Sequence, residues 1–283
     1  MSRSSPGVKR VAAILNFIAE HPGQAFALTD LVRALKLSRA TCHALLTGLV
    51  EVGYLYRTSD KSYVLGPALA AIGRTAAQHF SPLQVAQPEM RRLADEFNVL
   101  CGAYFVEENM VHLRDRAASA SHVGYPVPLG ARFRLHESIA PIFFPDRETG
   151  LAAWQRTLDY EPGEESQELF LEVAEFIAEH GFIAIERLPG FVIDRADYDQ
   201  DLASSMKDVP IKPVTDLTVD RSHGVVSIMA PIFDHRNQVS FALGMAGFVV
   251  SMPASKVVEA GNRLRETCDR ISAYIAGRSS EVN

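Results

Sequence analysis

The 283-residue chain has no run of apolar residues approaching the roughly 18 that a membrane-spanning helix requires. Its longest apolar stretches, around Val225–Phe233 and Phe241–Val250, are of strand length and are broken by Ser, Pro or Gly. The opening MSRSSPGVKR leads into no apolar signal core, so no export is expected and the cytoplasm is the expected compartment. Cysteine is scarce. Cys42, Cys101 and Cys268 stand far apart, which suits neither a disulfide framework nor a zinc site and leaves buried reduced thiols as the expectation. The nine histidines show no metal-ligand spacing. His136-Glu137 lacks the second His of a zincin motif, and the chain has neither a Gly-rich phosphate loop nor a G-x-S-x-G nucleophile elbow. Asp197, Asp199, Asp201 and Asp208 imitate a calcium loop, but Leu202 stands where that loop needs Gly and Asp208 where it needs a bidentate Glu. That run reads as a solvated acidic loop. These absences argue against catalysis and metal binding, and no cofactor is expected.

What is present is a globular composition, 47% hydrophobic and 22% charged, long enough for two cores. The net charge of −6 conceals an asymmetry. Residues 1–66 carry eight basic residues against four acidic ones, a balance of +4, which leaves −10 for the remainder. A small module facing phosphates joined to a larger one that does not would divide its charge this way.

Three short helical patterns open the chain. Val8–Ala19 repeats Val11, Ile14, Leu15 and Ile18 on one face, and Pro22-Gly23 ends it. A second helix, capped by Thr29 or a neighbour, carries Leu31, Val32 and Leu35. After a turn at Lys36-Leu37, Ser38 is placed to cap a third helix, Arg39–Val50, whose inward stripe is Cys42, Leu45, Leu46 and Leu49. Its opposite face holds Arg39, Ala40, His43, Ala44 and Thr47. Small residues let such a helix approach the major groove, while Arg, His and Thr reach phosphates or base edges. Helix N-terminal amides beside Ser38 and Arg39 would add a phosphate site. Beyond Gly53, Tyr54–Arg57 and Ser62–Leu65 read as a hairpin turning at Thr58–Lys61, with Arg57 and Lys61 near its tip. A hairpin just after such a helix is the wing of a winged helix-turn-helix.

Over residues 8–73 the sequence resembles the IclR family of bacterial transcriptional regulators. The matching text is VAAILNFIAEHPG, then LTDLVRALKLSRATCHALLTGLVEVGYL, then YVLGPALAAIG. The resemblance implies double-stranded operator DNA as partner, with Ser38, Arg39, Thr41, His43, Thr47, Arg57 and Lys61 as candidate DNA contacts. Ala40 stands where the family usually has Ser and Ala44 where it usually has Arg, so two expected polar contacts are missing and the family's operator preference does not carry over.

Residues 67–80 read as a linker helix, closed by a Phe80-Ser81-Pro82 boundary with Ser81 as cap. Residues 81–283 are, by the same resemblance, expected to form an effector-binding and oligomerisation domain. Its expected elements are a helix over Leu83–Phe97, a hairpin of Val99–Val106 and Met110–Arg114, and helices near Ser138–Phe144 and over Glu164–His180. Strands at Gly224–Phe233 and Ser240–Val250 and a final helix, Ala254–Ala276, complete it. The fold class is therefore α+β: a winged helix-turn-helix, a linker helix, and a domain with an antiparallel sheet that resembles the family's GAF-like effector domain. Two stretches carry that looser resemblance, Gly130–Ser138 and Gly224–Asp234 followed by Phe241–Gly247. Pro141-Ile142 replaces the family's G-K, and Ser227 its frequent Cys. Gly244 and Ala246 occupy positions where members that bind small keto acids carry hydroxyls. The resemblance implies a small organic effector, and the lost hydroxyls favour one bulkier or more apolar than pyruvate, such as an aromatic acid. Arg134, His136, Ser138, Ser227, Met229, Gly244 and Ala246 are its candidate contacts.

The resemblance implies a homodimer or tetramer, with repressor the more usual family role and activator left open, whose operator binding the effector controls. A sensor with impaired DNA binding and, more remotely, an acyl hydrolase are the rival readings.

Overall fold

A computed structural model describes residues 5–19, 21, 23–79, 82–122, 127–187, 211–217 and 221–277. The acidic run Asp197–Asp208 and the Phe80-Ser81 boundary lie outside the described residues. The chain divides into two compact units, residues 1–81 and 82–283.

The first unit runs α1 (Pro6–Ala19), α2 (Leu28–Leu35), α3 (Arg39–Glu51), β1 (Leu55–Arg57), β2 (Tyr63–Leu65) and α4 (Pro67–His79). Its core joins one side of each of the first three helices to the hairpin: Ile14, Ile18, Leu31, Cys42, Leu46, Leu49, Leu55 and Tyr63. Ala27, not Thr29, is the N-cap of α2. Thr29 already lies inside the helix, and the Asp30 carboxylate reaches back to accept the Ala27 amide at 3.0 Å. Lys36, at φ 52°, ends α2 in the left-handed region. The hairpin pairs Leu55–Arg57 antiparallel with Tyr63–Leu65, and Phe26 adds a short third rung through two backbone bonds to Tyr63, of 2.8 and 3.1 Å.

Two glycines fasten the wing to α3. Gly53 follows the helix at φ 74°, a conformation that a side chain would strain. Gly66, at the far end of the hairpin, donates its amide to Tyr54 O at 2.8 Å and packs against the Gly53 carbonyl, where a Cβ would stand only 2.2 Å from the oxygen.

The second unit runs α5 (Pro82–Phe97), β3 (Leu100–Glu107), β4 (Met110–Ala118), β5 (Arg132–Arg134), α6 (Ala140–Phe143), α7 (Gly150–Gln155) and α8 (Glu164–His180). It continues with β6 (Ile183–Arg187), β7 (Ile211–Val214), β8 (Ser222–His223), β9 (Val225–Phe233), β10 (Val239–Ala246), β11 (Met252–Pro253) and α9 (Ala254–Ile275). Seven strands form one antiparallel sheet in the order β5-β4-β3-β10-β9-β6-β7, while β8 pairs with β11. Long α9 lies on β9 and α5 on β3 and β4, with Cys268 Sγ 3.7 Å from Ala230 O. Short α6 packs on β9 and β10.

The structure extends the expected element set. Strands β5, β6 and β7 and helix α7 were not anticipated; each is six residues or fewer, too short to display a period. Strand β4 runs on to Ala118 rather than stopping at Arg114, because Asp115 and Arg116 keep pairing with Ala103 and Gly102 beyond a bulge. Strand β10 ends at Ala246 rather than Val250: Gly247 turns out of the sheet at φ 87°, and Val249 and Val250 are exposed.

Candidate nucleic-acid interface and effector site

Helix α3 begins where Ser38 Oγ accepts the Thr41 amide at 3.1 Å and donates to the Thr41 hydroxyl at 2.8 Å. Ser38 and Thr41 thus spend much of their hydrogen-bonding capacity on each other, and Thr41 is half-buried. Arg39, Ala40, His43, Ala44 and Thr47 are all exposed, while Cys42, Leu46 and Leu49 on the opposite side are buried. Burial pushes the Cys42 thiol up from its ordinary pKa, as a packing residue requires. Arg57 and Lys61 are both exposed on the wing, Arg57 with its guanidinium over the Tyr63 ring at 5.8 Å and Lys61 at the tip with φ 66°. The tip is closed by a polar network. Thr58 donates to Asp60 and, at 2.9 Å, to Ser62 O; Ser62 Oγ donates to Asp60 at 3.2 Å. The Thr58 hydrogen bond, ahead of those from Ser62 and the backbone, holds the Asp60 carboxyl below its ordinary range. The wing tip is therefore anionic at Asp60 as well as cationic at Lys61.

The seven effector candidates fall into two groups, with no hydrogen bond or ion pair between them among the described residues. Arg134 sits half-exposed on edge strand β5, 3.8 Å from Asp159. His136 Nδ1 accepts the Ser138 amide at 3.2 Å and lies 2.9 Å from the Ser138 hydroxyl, while the His136 carbonyl accepts the Ala140 amide at 2.8 Å. Fully buried Ser138 and half-exposed His136 thus form the turn that starts α6. Ser227, Met229, Gly244 and Ala246 do meet: Gly244 pairs with Met229 and Ala246 with Ser227 across β10 and β9.

Two further neighbours complete that face. Ile185 pairs with Ser227 and Ile183 with Met229, so β6 extends the surface with apolar side chains. On the other side Gly244 pairs with Gly102, which in turn pairs with Arg116. The row Arg116–Gly102–Gly244–Met229–Ile183 crosses five strands with no side chain on its second and third members. The expectation that Gly244 leaves room for a ligand does not hold, because the Tyr104 ring fills it. A Cβ on Gly244 would stand 2.8 Å from Tyr104 Cε2, and one on Gly102 would stand 3.0 Å from the same atom. Tyr104 was absent from the sequence reading. The signal was Gly102 inside a β segment, since strand glycines often mark the close approach of another group.

Residues 7–59 match the IclR helix-turn-helix domain. Along nearly its whole length the chain is similar to the HTH-type transcriptional regulator KipR of Bacillus subtilis (strain 168), with 21% identity over 275 residues, 97% of this chain and 99% of the relative. Residues 7–59 thus carry an IclR-type helix-turn-helix domain, and the whole chain is similar to an HTH-type transcriptional regulator. Among solved structures, Pseudomonas aeruginosa HmgR superposes with a TM-score of 0.63 at 19% identity, covering 96% of this chain and 98% of that one. The Agobacterium tumefaciens repressor BlcR gives 0.61 at 17% identity, covering 99% and 100%. At these identities the two structures speak for a shared fold alone: an N-terminal helix-turn-helix domain followed by a domain built on an antiparallel sheet. No helix among the described residues is long and apolar enough to cross a membrane.

Proposed function

We propose that the chain is an IclR-family regulator that binds double-stranded operator DNA through α3 and its wing, and that a small organic acid held by the second unit controls that binding. One observation carries the DNA reading: α3 buries Cys42, Leu46 and Leu49 and leaves a small-and-polar face, Arg39, Ala40, His43, Ala44 and Thr47, exposed. Arg39, His43 and Thr47 are the proposed groove contacts. Ser38 presents the helix N-terminus to a phosphate, with Thr41 holding it, and Arg57 and Lys61 flank the backbone. Repression is the proposed direction, in line with the printed role of BlcR, and a homodimer or tetramer is the proposed assembly, presenting two such helices to half-sites. The effector's polar contact on the sheet is Ser227, with Met229, Ile183 and Ile185 supplying apolar surface; Arg134, His136 and Ser138 form the turn beside Asp159.

The test is binding of the full chain to its own upstream DNA across a salt series, for wild type and for Arg39→Glu combined with Thr47→Glu. Each phosphate contact contributes about −0.9 to the slope of log affinity against log salt. The double substitution should abolish specific binding while leaving the thermal transition in place. Undiminished binding by the folded variant overturns the assignment of α3 as the reading helix.

A further inference from the structure

Among the described residues of the first unit, two that carry a side chain stand at positive φ, and both are lysines: Lys36 at φ 52° and Lys61 at φ 66°. The left-handed region crowds Cβ against the following carbonyl oxygen, so glycine is the usual residue there, at helix C-termini above all. The turn of a helix-turn-helix often contains a glycine. Lys36 holds that place between α2 and α3. Its amide donates to Val32 O and closes α2, as the Lys61 amide donates to Thr58 O at 3.0 Å and closes the wing tip. Glycine would make the same backbone bonds without the strain.

Nothing within the unit repays that strain through the Lys36 side chain. It is exposed, and its ammonium enters no hydrogen bond or ion pair among the described residues. Arg33 and Arg39, three residues to either side, are exposed and equally without a carboxylate partner among the described residues. The acid of α2, Asp30, is spent on the Ala27 amide at 3.0 Å. A cation at the end of α2 would favour the helix dipole, but Arg33 already stands in its last turn. Three unpaired like charges around one turn repel each other in the free protein and gain when an anion reaches them. A strained residue that the fold does not need points to function.

We propose that Lys36 is a phosphate contact of the DNA interface, a cation held at the glycine position of the helix-turn-helix so that it flanks the start of α3 as Lys61 flanks the wing. The inference rests on the reading of α3 and the wing as the DNA interface, and adds to it a residue outside both. A contact to the phosphodiester backbone carries no base sequence, so it raises affinity for any duplex. Fold stability and DNA affinity therefore pull in opposite directions at position 36.

The test is titration of the full chain against a labelled duplex of mixed sequence and against its own upstream DNA, between about 50 and 200 mM salt. The variants are Lys36→Gly, which removes charge and strain together, Lys36→Arg, which keeps the charge, and Lys256→Gln, which removes an equal charge from α9, where Lys256 pairs with Glu259. Lys36→Gly should flatten the slope of log affinity against log salt by about 0.9 and weaken binding about 8-fold at about 0.1 M salt, on both duplexes. It should also melt about 2–6 °C above wild type. Lys36→Arg and Lys256→Gln should keep the wild-type slope. An unchanged slope in Lys36→Gly, a loss confined to one duplex, an equal loss in Lys256→Gln, or a lower melting temperature for Lys36→Gly overturns the proposal. The two readings fail separately. A wild type that binds with a steep salt dependence, matched by Lys36→Gly, keeps the interface while Lys36 loses its role. A wild type without salt-dependent binding to either duplex loses both.

Discussion

Gly66→Ala should disable the wing while touching no proposed DNA contact. A methyl at position 66 would stand 2.2 Å from Gly53 O and 2.9 Å from both the Gly53 and Tyr54 carbonyl carbons. Ordinary contact begins near 3.4 Å, so the Gly53 carbonyl must retreat by more than an ångström. That retreat cannot be local. The same carbonyl accepts the Ala68 amide at 3.2 Å, and the Gly66 amide donates to Tyr54 O at 2.8 Å. Losing or stretching these two bonds costs about 1 kcal/mol each, and backbone displacement by an overpacked group adds about 1–3 kcal/mol. A total of about 3–5 kcal/mol corresponds to a fall of about 12 °C or more in the melting of a domain this small. Gly48→Ala is the control on the preceding helix. Nothing lies within 4 Å of its added methyl, so it should stabilise the unit by about 0.5–1 kcal/mol. Scanning calorimetry of the full chain, followed by operator binding, reads both variants. If Gly66→Ala melts like wild type and binds DNA equally well, the contact between the two ends of the hairpin does not hold the wing.

Ser38→Ala removes the acceptor for the Thr41 amide and should cost about 1 kcal/mol in urea unfolding. Its effect on operator affinity should stay below that of placing glutamates at Arg39 and Thr47. Glu186 is 3% exposed; burial pushes its carboxyl up, but hydrogen bonds from His223, Arg221 and Lys212 outweigh burial and hold it below the ordinary range. A carboxylate with a lowered folded pKa contributes stability above the unfolded value of about 4.3 and loses it as pH falls through the lower folded value. Glu186→Gln should therefore destabilise the chain by about 2–3 kcal/mol at neutral pH and flatten the loss of stability below about pH 4. A variant that keeps the full acid-side slope would show that other carboxylates set it.

The first unit was legible because its elements are amphipathic and punctuated. The stripe Cys42, Leu45, Leu46, Leu49 selects one side of α3, Ser38 caps it, and Gly53 stops it, so three independent local signals agree. The Thr29 error came from scoring cap residue types alone; Asp30 reaching back to an alanine amide satisfies the same orphan donor. The second unit was less legible. Strand β6 is buried from Ile183 to Glu186, and its three apolar residues are too few to show an alternation. Its partner β7 contains Pro213, which ordinarily argues against a strand and is tolerated at the sheet edge. Of the effector candidates, Ser227, Met229, Gly244 and Ala246 lie side by side because they belong to one strand pair. Tyr104 and Arg116 lie more than a hundred residues earlier, and only the β3–β10 pairing brings them alongside.

Both units use paired glycines for the same physical end, and the comparison shows what each pair admits. In the wing, Gly53 and Gly66 let two backbone segments approach closer than any side chain would allow, and the result is a rigid joint between α3 and the hairpin. In the sheet, Gly102 and Gly244 face each other across β3 and β10, and an aromatic ring fills the clearance instead of a backbone. A backbone joint satisfies its own hydrogen bonds: Gly66 N and Ala68 N both find acceptors. A tyrosine laid on glycine is held by packing instead, its ring over Gly102 and Gly244 with Phe133 edge-on at 6.1 Å. The wing joint is therefore fixed by backbone hydrogen bonds, and the sheet joint by the shape of an aromatic ring.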